Sequence, residues 1–347
     1  MNLQNSEIYI SIFLASLVVS SSLIPILRMI AFKFGILDKP NQGHKTHHES
    51  IPYLGGFAII IPIVFLAIIG YIFFLKFSDF GYRLLLTLVP SLLLSIVGLY
   101  DDMKNLSARF RFIFQSLVAT LSAALLIQLD FGVKISEIQI ISSCITILWI
   151  VGITNAFNLF DNLDGGAAGI TLISSSTIFI LAITGKQFLI SCMSIGLAGA
   201  ALGFLFWNRN PAKIYLGDSG ALFIGFFLAL LLIQFEPSIE SPLASLALPV
   251  FILALPIIDT TVVVASRLSR GVSLFQGGRD HLSHRLLLFG FSRKETALLL
   301  WGLATLFSSL TLLMSVSSSE FSLFICILTL LLMIYLIFRF LRLDTKL

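Results

Sequence analysis

The chain has 347 residues, of which 57% are hydrophobic and 12% charged, with a formal net charge of +4. A mean hydropathy of +1.01, with about half the charged fraction of an aqueous domain, excludes a water-soluble globule and a soluble domain on a single anchor. The positive balance records topology rather than an anionic polymer, and no nucleic-acid partner is implied.

Apolar stretches of about 20 residues, the length a helix needs to cross a bilayer, recur eleven times along the chain: Ile8–Ile30, Tyr53–Leu75, Leu84–Tyr100, Ile113–Leu129, Ile138–Asn155, Ala167–Thr184, Leu189–Trp207, Ile214–Phe235, Leu246–Ala265, Ala297–Ser315 and Phe321–Phe340. The expected fold is therefore all-α: one polytopic membrane domain of about eleven transmembrane helices. The first stretch lacks a basic leader and is longer than a signal-peptide core, so it is expected to stay as the first helix. Cys144, Cys192 and Cys326 form no CxxC and have no metal spacing, which leaves them to membrane packing. With the N-terminus outside, 18 of the 22 basic residues fall on one side of the membrane, and only Lys76, Arg83, Lys134 and Lys186 fall on the other. Positive loops stay cytoplasmic, which predicts an external N-terminus and a cytoplasmic C-terminus.

That orientation places every dense acidic cluster and all five histidines on the cytoplasmic side. The first inner loop, Asp38 to Gly56, carries His44-Lys45-Thr46-His47-His48, a phosphate patch in preference to a zinc patch because no second ligand set accompanies it. Asp101-Asp102 closes the third stretch. Adjacent carboxylates at a membrane edge repel unless a divalent metal, a shared proton or a basic partner neutralises them; a solvated helix end is the plainer alternative. In Asn155-Ala156-Phe157-Asn158-Leu159-Phe160-Asp161-Asn162-Leu163-Asp164-Gly165-Gly166, the positions Asn155, Asn158 and Asp161 share a face if the helix continues that far, and Asp164 extends the row. Caps and a Gly-Gly stop would use fewer such residues, so the row is expected to face a polar cleft. Asn208 to Gly220 brings Arg209, Lys213 and the Gly217-Asp218-Ser219-Gly220 turn to the start of another apolar run, suited to a metal-bound diphosphate because hard Mg²⁺ takes a few carboxylates plus phosphate oxygens. Asp259 is a lone intramembrane acid expected to brace the longest inner loop, and Gly278-Arg279-Asp280-His281-Leu282-Ser283-His284-Arg285 in that loop suits phosphate recognition.

Together these elements resemble the polyprenyl-phosphate N-acetylhexosamine-1-phosphate transferases of glycosyltransferase family 4, which include the phospho-MurNAc-pentapeptide transferases. The resemblance spans most of the chain and keeps the order of motifs. Asp101-Asp102 looks like the family's paired aspartates, Asn155 to Gly165 like its NAxNxxDxxDG stretch, Asn208 to Gly220 like its NxxPAxxxxGDxG stretch, and Asp280 to His284 like its histidine motif. The Asp38-Lys39-Pro40-Asn41…Gly55-Gly56 run is similar to the GlcNAc-phosphate branch. Asn162 stands where Gly is frequent, Gly166 where Leu is frequent, and Ser283 where many members have the middle His of an HxHH triplet; one residue is extra between Asn41 and Lys45. No departure removes a carboxylate.

The resemblance implies transfer of a sugar-1-phosphate, GlcNAc-1-phosphate by the branch, from a UDP-N-acetylhexosamine to undecaprenyl phosphate. UMP would be released at the cytoplasmic face of the inner (plasma) membrane, initiating a cell-envelope glycan. It further implies Mg²⁺, or Mn²⁺ in its place, on Asp218, proton acceptance by Asp101, and positioning by Asp102 and Asp161. Nucleotide contacts would come from Asp164 and Asn158, and phosphate contacts from His281, His284 and Arg285, with Asn155, Lys45, His47 and Lys213 as further substrate-binding residues. Both a monomer and a homodimer stay open. A transporter of an anionic or sugar substrate is the competing class, but it calls for charged groups near the bilayer centre, whereas these acids hug helix ends.

Overall fold

The computed structural model describes residues 3–38, 50–72, 79–133, 138–274 and 278–343; the expected substrate-binding residues Lys45 and His47 lie outside them. The described residues fold into thirteen helices and one pair of two-residue strands. In chain order these are α1 (Leu3–Phe34), β1 (Leu37–Asp38), β2 (Ile51–Pro52), α2 (Gly56–Gly70), α3 (Asp79–Lys104), α4 (Ala108–Gln128), α5 (Gln139–Phe160), α6 (Gly166–Thr184) and α7 (Phe188–Asn208). There follow α8 (Gly217–Ile233), α9 (Pro242–Ile252), α10 (Ala254–Ser269), α11 (Leu282–Leu288), α12 (Arg293–Ser315) and α13 (Ser319–Arg342).

Within the described residues the eleven apolar stretches fall on helices, but not every one is a simple span. Among the described residues eight helices are long and apolar enough to cross a membrane, or nine if the bent pair α9–α10 is one span. The ninth stretch is broken: α9 and α10 meet at 77° around Leu253, three residues before Pro256, which has no N–H to give the Ile252 carbonyl; Ser174 Oγ donates to that carbonyl instead, at 2.9 Å. α2 and α8 are shorter, with 15 and 17 residues, or roughly 23 and 26 Å at 1.5 Å per residue against a hydrocarbon core of about 30 Å. α8 tolerates its shortness because it is sheathed in protein: from Gly217 to Leu232 every residue but Asp218 is buried. It packs against α3, α5 and α2, while α7 packs against α1 and α6.

Side chains too small to keep backbones apart set the depth of these contacts. An added Cβ at Gly98 of α3 would meet the Asp218 carbonyl at 2.5 Å, and one at Gly217, whose φ is +75°, would meet the Asp102 carboxylate at 2.7 Å. Glycine at these positions lets the acidic end of α3 abut the first turn of α8. The antiparallel β1–β2 pair, which the sequence did not suggest, adds a third wall: Pro52 accepts from Tyr215 N–H (2.8 Å), and Gly56 N–H donates to Leu216 (2.8 Å).

Candidate active site

A cavity of about 770 Å³ opens where these ends converge, within the usual range for a small-molecule site. Six acids line it (Asp38, Asp101, Asp102, Asp161, Asp164 and Asp218), together with Arg111, Arg279, Arg293 and His284 and the rings of Tyr53 and Tyr215. Residues remote in sequence meet here because α3, α5, α7 and α10 end where α4, α6, α8 and α12 begin.

Asp218, in the first turn of α8, is the hub. One carboxylate oxygen accepts from Asn158 Nδ2 at 2.8 Å and the other from Arg111 Nη1 at 2.5 Å. The same Arg111 nitrogen also bonds Asp101, whose second oxygen accepts from Leu106 N–H at 2.5 Å. Asp102 caps α8 from another helix: its two oxygens accept from Asp218 N–H (2.9 Å) and Ser219 N–H (3.3 Å), donors that no residue of α8 itself can satisfy. Asp101 and Asp102 are therefore neither a solvated helix end nor a matched pair; one orients an arginine and the other holds a helix.

The NAxNxxD segment departs from its expected course. α5 ends at Phe160, and Asp161 caps it with φ −77° and ψ 55°, so Asp164 sits in the turn toward α6 and not on the helical row. Asn155 lies on α5, but its amide donates back to Val151 (2.8 Å) and it is not among the cavity-lining residues. Asp164 accepts from Asn210 Nδ2 (2.8 Å) and Ala212 N–H (3.2 Å), pinning the loop before α8, with Arg293 at 4.0 Å. Asn208 links the same two turns, accepting from Gly165 N–H and donating to Ile214, both at 2.9 Å. The Asp161 carboxylate makes no hydrogen bond or ion pair among the described residues. Burial, then the charges of Asp218 and Asp164, push its pKa up to about 7.

Most of the histidine motif holds its own loop in place. His281 Nδ1 lies 2.8 Å from Asp259, which also accepts from Leu282 N–H at 2.7 Å, the bracing role expected of that acid. Asp280 takes a forked pair of bonds from Arg267 at 2.8 and 2.9 Å; burial opposes its ionisation, but the Arg267 bonds and charge carry it down to about 2. Arg285 corrects an expectation. Its guanidinium donates to the carbonyls of Asp280, Phe340 and Leu343 and to Ser266 Oγ, and the residue is 2% exposed, so it ties the loop to the end of α13 and has no donor turned to the cavity. Lys213 likewise lies over the Trp207 ring, 5.2 Å from its centroid, and not at the cavity wall. His284 alone of the two histidines lines the cavity; burial, then His281 and Arg279, lower it to about 4, so at neutral pH it offers a neutral imidazole.

Arg111, Arg279, Arg293, Tyr53 and Tyr215 went unassigned in the sequence-based expectation. Arg111 counted only as a topology marker, although its place one turn into α4, just after Asp101-Asp102, was a usable signal. Among the described residues no group of three or more His, Cys, Asp or Glu is arranged to cage a metal ion. The donor set nonetheless fits a hard cation shared with substrate: Asp218, with Asp101 beside it and a cationic nitrogen already between them, offers the one or two carboxylates Mg²⁺ takes when phosphates supply further ligands.

The family model described as glycosyl transferase family 4 matches residues 84–236, the stretch carrying Asp101, Asp161 and Asp218. The chain is 34% identical over 319 residues, 90% of its length and 87% of the relative's, to a probable undecaprenyl-phosphate N-acetylglucosaminyl 1-phosphate transferase of Bacillus subtilis (strain 168). It is 30% identical to the decaprenyl-phosphate N-acetylglucosaminephosphotransferase of Mycolicibacterium smegmatis, covering 79% of this chain and 74% of that one. With a phospho-N-acetylmuramoyl-pentapeptide-transferase of Halalkalibacterium halodurans it shares 28% identity over 88% of this chain and 95% of the relative. The apolar helices and these relatives together mark the chain as a multi-pass membrane transferase. The chain belongs to glycosyl transferase family 4, alongside the polyprenyl-phosphate N-acetylhexosamine-1-phosphate transferases.

Proposed function

We propose that this protein transfers N-acetylglucosamine-1-phosphate from UDP-N-acetylglucosamine to undecaprenyl phosphate at the cytoplasmic face of the inner membrane. The observation that carries the reading is the convergence of Asp218, Asp101, Asp161 and Arg111 on one cavity at the end of a membrane bundle, where a water-borne diphosphate and a lipid-borne phosphate can meet. The names of the relatives support the sugar and the lipid. A transporter is not favoured, because the acids sit at helix ends on one side.

In this reaction a phosphate oxygen of the lipid attacks the sugar-bearing phosphorus of the donor. The bond from that phosphorus to the bridging oxygen breaks, and UMP leaves with that electron pair. Two anions must approach, so counter-charge dominates the barrier. Arg111, Arg279 and Arg293 supply fixed positive charge, and His284 a neutral hydrogen bond. Asp218, with Asp101, would hold Mg²⁺ or Mn²⁺, which when bound neutralises diphosphate charge and stabilises the departing UMP. Both oxygens of Asp101 are engaged, so we assign acceptance of the proton from the lipid phosphate to Asp161, whose carboxylate is unpartnered among the described residues. The Tyr53 and Tyr215 rings, 6.1 Å apart at the cavity wall, offer apolar faces to the nucleobase.

The test is transfer itself. Purified protein given radiolabelled UDP-N-acetylglucosamine, undecaprenyl phosphate and Mg²⁺ should yield labelled lipid and UMP; EDTA should stop it and Mn²⁺ restore it. No labelled lipid from folded protein refutes the activity, and full turnover in excess chelator refutes the metal. The orientation is tested separately: single cysteines placed beside Lys104 or Arg279 should resist impermeant thiol reagents applied to intact cells and react in inverted vesicles. Labelling in intact cells reverses the topology.

A further inference from the structure

Asn162 and Ser283 lie 121 residues apart and touch: Ser283 Oγ donates to Asn162 Oδ1. The Asn162 amide is fixed at its other end as well, donating from Nδ2 to Leu159 at 2.7 Å. Asn162 directly follows Asp161, and both line the cavity. Ser283 directly precedes His284, which also lines it, and is itself 3% exposed. On its other flanks the histidine loop is tied to α10 through Asp259, Arg267 and Ser266, and to α13 through Arg285. The serine–asparagine bond thus joins α11 to the turn that carries Asp161.

Ser283 is buried and the Asn162 amide is held at both ends, so a change in either side chain disturbs the other.

We infer that Asn162 and Ser283 form one coupled unit that positions His284 relative to Asp161, and that neither can change alone without moving the histidine. This rests on the proposed transfer reaction for its kinetic readout. The pair consists of positioning residues, and their effect passes through His284.

A double-mutant cycle tests it in the full-length protein. Asn162→Ala and Ser283→Ala should each lower kcat/KM by about tenfold, mainly in kcat, and the double variant should lose no more than about threefold beyond either single, because contacting residues are strongly non-additive. Ser283→Thr should retain most of the rate, and Ser283→Ala should add no further loss in a His284→Ala background. Single losses that multiply in the double variant, singles without effect, or an undiminished Ser283→Ala loss when His284 is already gone would each overturn the inference. If the unaltered protein transfers no sugar phosphate, it is the functional reading that fails. The same cycle is then read in thermal unfolding temperature, where the coupled pair predicts non-additive shifts and an uncoupled pair additive ones.

Discussion

Asp218→Asn lowers kcat by about a thousandfold, the upper end of what a single preorganised charge-stabilising group contributes. The side chain keeps its size and can still accept one hydrogen bond from Arg111 or Asn158, so the geometry of the hub is largely retained. What is lost is a negative charge at the point where a hard cation and a diphosphate would meet. The fold should be indifferent to the change, because α8 is capped through the backbone amides of Asp218 and Ser219 by Asp102, and these are untouched. The expected pattern is thus unchanged thermal unfolding, near-zero turnover, and weaker Mn²⁺ binding followed by electron paramagnetic resonance. A variant that keeps more than a tenth of the parent rate, or loses activity only because it unfolds, would remove Asp218 from the centre of the mechanism.

How far the sequence carried the structure depends on what each residue's partner is. The membrane class and the apolar stretches were legible because lipid reads composition over 20 residues and needs no partner. The convergence of Asp101, Asp102, Asp161, Asp164 and Asp218 was legible too, since topology alone forces alternate helix ends to the same side. Roles that depend on a contact were not. Asp102 looks like half of a metal pair until α8 is seen to need a cap. Arg285 looks like a phosphate ligand until the carbonyls of Phe340 and Leu343, more than fifty residues on, are seen to take up its donors. The break at Leu253 has a local cause in Pro256, but proline is tolerated in membrane helices when neighbours satisfy the backbone, so sequence could not choose. The short α8 escaped recognition for the opposite reason: a helix enclosed by other helices need not match the bilayer.

Arg111 gives the second large effect, and one whose two halves move in opposite directions. Its Nη1 bonds both Asp101 and Asp218, so it neutralises the pair from within and competes with any cation the pair would bind. Removing its charge in Arg111→Gln leaves two carboxylates facing one another without a counter-ion, a state that attracts a divalent ion more strongly by Coulomb's law. Mn²⁺ affinity should therefore rise several-fold. Turnover should fall by about a hundredfold, because the charge that helps two anions approach has gone. Arg111→Lys should fall between parent and glutamine variant in rate: it restores the charge, but on a shorter side chain that does not bring its ammonium to the place Nη1 holds between the two carboxylates. Measuring Mn²⁺ binding and kcat on the three proteins distinguishes this arrangement from simple damage, which would weaken both together. If the glutamine variant binds Mn²⁺ less tightly than the parent, Arg111 is not a competitor for the cation site, and its bonds to Asp101 and Asp218 serve only to hold α4 against α3 and α8.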